Sequence, residues 1–76
     1  MTTFNKYFLE RICKLTNNTT KEVVSCKQFN HFIKQDNCIQ TDTKQIDRNT
    51  YNSISLYYEL SDKNYYYKLT HECTTL

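Results

Sequence analysis

The side chains able to do chemistry are few in this sequence. Two histidines, His31 and His71, and four cysteines, Cys13, Cys26, Cys38 and Cys73, are the nucleophilic and metal-ligating candidates. His71 and Cys73 are two apart, so on a strand both would point to one side. Cys26 and Cys38 would have to complete a zinc tetrahedron with them. No Cys-x-x-Cys pair occurs, and Cys26 and His31, five apart on a helix, would diverge by about 140°. The two histidines could form an acid-base pair for RNA cleavage only if they converged. His31 falls on a polar helical face and His71 near the end of a strand. Cys13 or Cys73 as a nucleophile would need a neighbouring base and an oxyanion site, and neither is visible. The eight carboxylates are spread along the chain without metal-ligand spacing. The expectation is no catalytic residue, no metal and no cofactor.

The chain has neither glycine nor proline, where average usage would give roughly five and four. Phosphate loops, dinucleotide fingerprints and nucleophile elbows need glycine for sharp turns and close ligand approach, so all are excluded. Turns must fall to Asn and Asp, the other residues that tolerate positive φ. These stand at Asn17-Asn18, Asp36-Asn37, Asp62 and Asn64. Asn17-Asn18-Thr19-Thr20 holds two overlapping glycosylation sequons, read here as a turn.

Seventy-six residues make one domain, 1–76. At this size only about 60% of the unfolded surface is buried, and stability is marginal. Ten basic against eight acidic residues leave a net charge of +2, weak for a nucleic-acid binder. No run of apolar residues is long enough to span a membrane, and the N-terminus has no apolar signal core. The expected location is the cytoplasm, with no membrane partner. In that reducing setting the four cysteines are expected to be free, small and buried.

The elements that would position these groups are two helices and a hairpin. Phe4, Phe8, Ile12 and Leu15 lie on one helical stripe, predicting a helix over 3–16. Thr19 with Glu22 forms a capping-box pattern ahead of Val23, Cys26, Phe29 and Ile33, predicting a second helix that ends at Asp36-Asn37. Its polar face carries Lys27, Gln28, His31, Lys34 and Gln35. Residues 38–52 fit a short helix or a strand equally. Beyond them two alternating segments flank Ser61-Asp62-Lys63-Asn64 and read as a β-hairpin. Pairing about that turn sets Leu60 opposite Tyr65, Tyr58 opposite Tyr67 and Leu56 opposite Leu69. The other face sets Glu59 opposite Tyr66 and Tyr57 opposite Lys68. The expected architecture is α+β, two N-terminal helices packed on a C-terminal antiparallel β-hairpin or small meander.

Two functions fit that outline. Tyr57, Tyr66 and Lys68 on the non-core face, with Tyr51 upstream, form a candidate partner-binding surface, since Tyr is enriched at interface hot spots. The leading expectation is a small non-enzymatic protein-binding module. It would act as a stoichiometric inhibitor or modulator of a host protein, an enzyme or nucleoprotein complex, of the kind viruses and mobile elements encode against host defence. Homodimerisation through the same face or the hairpin edge is a further outcome. The alternative is a winged helix-turn-helix DNA-binding regulator reading duplex DNA with Lys27, Gln28, His31, Lys34 and Gln35.

Overall fold

A computed structural model describes residues 2–76. The chain forms β1 (Thr3–Cys13), β2 (Thr19–Val24), α1 (Cys26–Ile33), β3 (Ile39–Asp47), β4 (Asn52–Ser61) and β5 (Tyr65–Thr75). All strands join one five-stranded antiparallel sheet in the order β2-β1-β5-β4-β3. The expectation of two helices on a hairpin is therefore wrong: one short helix packs on a sheet that runs the length of the chain.

The error at β1 has a plain cause. Phe4, Phe8 and Ile12 recur every four residues, and a spacing of four also keeps residues on one face of a strand. The residues that separate the two periods are Tyr7 and Leu9, which β1 turns to the opposite face. Thr, Phe, Tyr and Ile also favour pleated strands. β1 then pairs on both sides, with β2 from Tyr7↔Val24 to Ile12↔Thr19 and with β5 from Thr3↔Thr75 to Cys13↔Tyr65.

The second helix is shorter than expected. Thr19–Val24, rich in β-branched residues, is an edge strand, so Thr19 and Glu22 cap nothing. The cap is Ser25: its Oγ accepts from the Gln28 backbone N–H at 3.1 Å, and the Gln28 Oε1 accepts from the Ser25 N–H at 3.1 Å. This is the same reciprocal box, six residues later in the chain. Of the expected stripe, Phe29 is buried and Ile33 half-buried, whereas Val23 and Cys26 are exposed.

Residues 39–47 form the other edge strand, β3, with a bulge between Gln40 and Asp42. The hairpin of β4 and β5 exists, and Leu56, Tyr58, Leu60, Tyr65, Tyr67 and Leu69 share one face as expected. Their register differs by two residues: Leu60 pairs with Tyr67, Tyr58 with Leu69 and Leu56 with His71, while Glu59 pairs with Lys68 and Tyr57 with Thr70. Asp62 sets this shift. Its Oδ1 accepts from the N–H groups of Asn64 (2.8 Å) and Tyr65 (2.7 Å), placing Lys63-Asn64 at the tip. A two-residue shift preserves the faces, because side chains alternate with period two. At the β1–β2 turn Asn17 takes φ 61°, the left-handed conformation for which glycine would be the usual choice.

α1 lies against one face of the sheet. Phe29, Leu9 and Leu69, each at most 2% exposed, form the centre of the core with Val24, Leu60 and Tyr67. The Phe29 ring meets Tyr7 at 5.0 Å and Tyr58 edge-on at 5.7 Å, and Phe32 meets Tyr67 at 5.2 Å. Among the described residues no element covers the opposite face of the sheet.

Candidate functional site

Strand register places the uncovered face in transverse rows, each crossing the sheet from β2 towards β3. The central row reads Lys21, Glu10, Lys68, Glu59, Ile39, one residue per strand. Beside it runs Val23, Phe8, Thr70, Tyr57, Asp42, and next Lys6, Glu72, Ser55, Lys44 from β1 to β3. The row on the other side is Thr19, Ile12, Tyr66, Ser61. Laterally adjacent charges of opposite sign support antiparallel pairing, so the central row stabilises the sheet that displays it.

Apolar side chains stand among these charges. Val23 is 70% exposed, Phe4 50% and Tyr66 47%. Lys44 Nζ lies 5.6 Å from the Tyr57 ring centre and Lys21 Nζ 6.0 Å from that of Phe8, so the lysine stems cover part of the aromatic surface. A depression of about 390 Å³ spans the face from Lys21 on β2 to Asp42 and Lys44 on β3, lined also by Phe8, Glu10, Tyr57 and Lys68 among others. It is open and mixed in polarity. Small-molecule sites are instead mostly apolar.

The sequence-derived candidates divide accordingly. Tyr57, Tyr66 and Lys68 do share the uncovered face. They are not contiguous, because the Lys68–Glu59 pair lies between the rows of the two tyrosines. Tyr51 lies in the β3–β4 turn, where its carbonyl accepts from the Arg48 N–H at 2.8 Å. Sequence reasoning missed Phe8, Glu10, Lys21 and Val23 on this face. For Phe8 and Glu10 the signal is the even-numbered alternation of β1, visible only once that segment is read as a strand, and Val23 and Lys21 on β2 follow by pairing with them.

Lys27, Gln28, His31, Lys34 and Gln35 are all exposed, on α1 or just beyond it, and Gln28 is committed to the cap. A helix-turn-helix needs two helices, and the described residues form one. The DNA-binding alternative loses the element on which it rested.

Around Tyr7 the structure gathers His71, Cys26 and Cys73. His71 stacks on Tyr7 at 4.5 Å, and its Nε2 lies 2.9 Å from Asn5 Oδ1, while His31 meets Phe32 edge-on at 5.9 Å. Hydrogen bonding to Cys26 raises the Tyr7 phenol above its ordinary value, with burial and the charges of Cys26 and Cys73 adding to it. The Thr16 hydroxyl, then the backbone N–H groups of Thr16 and Leu15, lower the Cys13 thiol. Burial raises the Cys38 thiol. The four cysteines are free. Cys26 is exposed and the other three half-buried, so the expectation of buried thiols fails most clearly at Cys26. Among the described residues no three His, Cys, Asp or Glu side chains converge as metal ligands, and no helix is long and apolar enough to cross a membrane.

Comparison with protein-family models, with curated proteins and with solved structures finds no match to this chain.

Proposed function

We propose that this chain is a small non-enzymatic protein-binding module whose docking surface is the uncovered face of its sheet. We propose further that it acts stoichiometrically, as an inhibitor or modulator of a host protein it binds. The observation that carries this reading is the composition of that face. It sets exposed Val23, Phe4 and Tyr66 around an alternating charged row. Tyr is enriched at interface hot spots, and aromatic residues held on a rigid sheet lose little conformational freedom on binding.

The test is affinity capture of the target from host lysate, with and without nuclease, read by mass spectrometry. The expected result is a protein recovered in both conditions and lost when Tyr57→Ala and Tyr66→Ala are combined. Lys27→Ala with Lys34→Ala, on the far side of the molecule, should leave capture intact. Capture that survives loss of both tyrosines in a folded protein would refute the assigned surface. Capture that disappears with nuclease would refute direct protein binding.

A further inference from the structure

We propose that the occupant of the uncovered face is a second copy of this chain, in a symmetric dimer whose twofold axis runs parallel to the strands between β1 and β5. The proposal rests on the reading of that face as a protein-docking surface and adds an occupant that excludes the target while it is bound.

The charge order selects this arrangement. Such an axis leaves each transverse row facing itself in reverse. In the central row Glu10 then faces Lys68 of the partner subunit, and Lys21 faces Glu59 of the partner subunit. In the row carrying Lys6, that lysine faces Glu72 of the partner subunit. The apolar rows also match: Val23 meets Tyr57 of the partner subunit, and Ile12 meets Tyr66 of the partner subunit. All these positions follow from the observed register.

Two other twofold arrangements fail on the same residues. An axis perpendicular to the strands along the central row sets Glu10 against Glu10 of the partner subunit and Lys68 against Lys68 of the partner subunit. An axis displaced by one strand, between β5 and β4, sets Lys6 against Lys44 of the partner subunit. Like charges in such positions cost several kcal/mol and suppress wrong pairings.

Area and geometry agree. With strands about 4.8 Å apart and a rise of about 3.4 Å per residue, the overlap of β2, β1, β5 and β4 has a planar footprint of roughly 600 Å². Side-chain relief adds to this, which approaches the roughly 800 Å² that each partner buries in a standard stable interface. Two twisted sheets pack face to face about 10 Å apart with strands within about 30° of each other. β3 overhangs the partner, so its Asp42 needs no counterpart, while the Lys44 ammonium reaches over Tyr57 at the rim of the overlap. The dimer is a sandwich with α1 of each copy outside.

The test is charge complementation with the full chain, read by sedimentation equilibrium, with circular dichroism as the folding control. The unaltered chain is expected at twice its 9.2 kDa mass, with association weakened by salt. Glu10→Lys sets two lysines against each other across the axis, and Lys68→Glu sets two glutamates against each other. Each should weaken self-association by roughly a hundredfold or more. Mixing the two variants sets a lysine against a glutamate at both places where positions 10 and 68 meet across the axis, and should give a heterodimer. Changes within each sheet remain in the mixture, so recovery reports the contact between copies. If either variant unfolds, Val23→Glu, at an exposed edge position, should give a folded monomer.

A wild-type chain at monomer mass up to about 100 μM would overturn the dimer. So would a Val23→Glu variant that stays dimeric, or a mixture of folded variants that fails to reassociate. A monomer whose target capture still needs Tyr57 and Tyr66 would defeat the dimer alone. A dimer whose target capture ignores the uncovered face would instead defeat the broader reading.

Discussion

Phe29 is the largest fully buried side chain among the described residues. It is 2% exposed and joins α1 to Tyr7, Tyr58 and His71 across the sheet. Phe29→Ala in a core typically costs about 3–5 kcal/mol, a large share of the total stability of a small domain. The variant should be largely unfolded at 25 °C by circular dichroism; a cooperative urea transition near that of the parent would show that α1 is dispensable. Asp62 is the second decisive residue. Its carboxyl lies below its ordinary value because of hydrogen bonds from the backbone N–H of Tyr65 and then Asn64, with smaller help from the Tyr67 hydroxyl and Lys14. A carboxylate with a depressed folded value stabilises the fold above its unfolded value, and that contribution is lost as pH falls through the folded value. Asp62→Asn keeps an acceptor for the turn but removes the titration. The acid limb of a stability–pH profile should therefore be flatter in the variant below about pH 4, and identical acid limbs would contradict the assignment. Tyr67 behaves in the opposite sense: burial, then its bond to the Asp62 carboxylate, raises its phenol.

Among the elements, α1 is the one whose existence depends on its cap. Eight residues are too few for a helix to persist by propensity alone, so the Ser25–Gln28 box and the burial of Phe29 must act together. Ser25→Ala should lower stability by about 1 kcal/mol, measured as a shift in urea midpoint at unchanged slope. Gln28→Ala should cost less, because the Ser25 Oγ still accepts from the backbone. The β1–β2 turn gives a matching test. Asn17 at φ 61° should accept glycine with little change, whereas Asn17→Val should destabilise the hairpin, since a β-branched residue is strained there. Equal stability of the two variants would mean that the turn has another backbone conformation. The edges follow the same logic. β3 is exposed along its whole length, and its bulge together with Asp42, Lys44 and Asp47 keeps that long edge from recruiting further strands.

For the whole molecule, the governing fact is one helix on a five-stranded sheet. One face of the sheet has a core and the other has only its own side chains. The uncovered face cannot hold a target and a second copy at once. Target capture and self-association should therefore compete, with capture per chain falling as chain concentration rises through the dimer dissociation constant. Capture efficiency independent of chain concentration would place the target elsewhere, on α1 or the β3 edge.

Composition and local pattern by themselves determined much of this protein. The absence of glycine and proline excluded phosphate and nucleophile loops and assigned Asn17 and Asp62 to turns. Strict alternation identified the faces of β4 and β5, because each has one apolar side. Only the tertiary structure decided β1, β2 and β3. β1 is apolar on both faces, since one packs under α1 and the other forms the uncovered surface, so its pattern satisfies helix and strand alike. β2 and β3 are edge strands with little burial to mark them. The β4–β5 half of the uncovered face, with Tyr57, Tyr66 and Lys68, was legible from alternation, but the β2–β1 half was out of reach for the same reason. Lys21, Glu10, Lys68 and Glu59 are scattered over four strands, and only long-range pairing, which leaves no local trace in the sequence, sets them side by side.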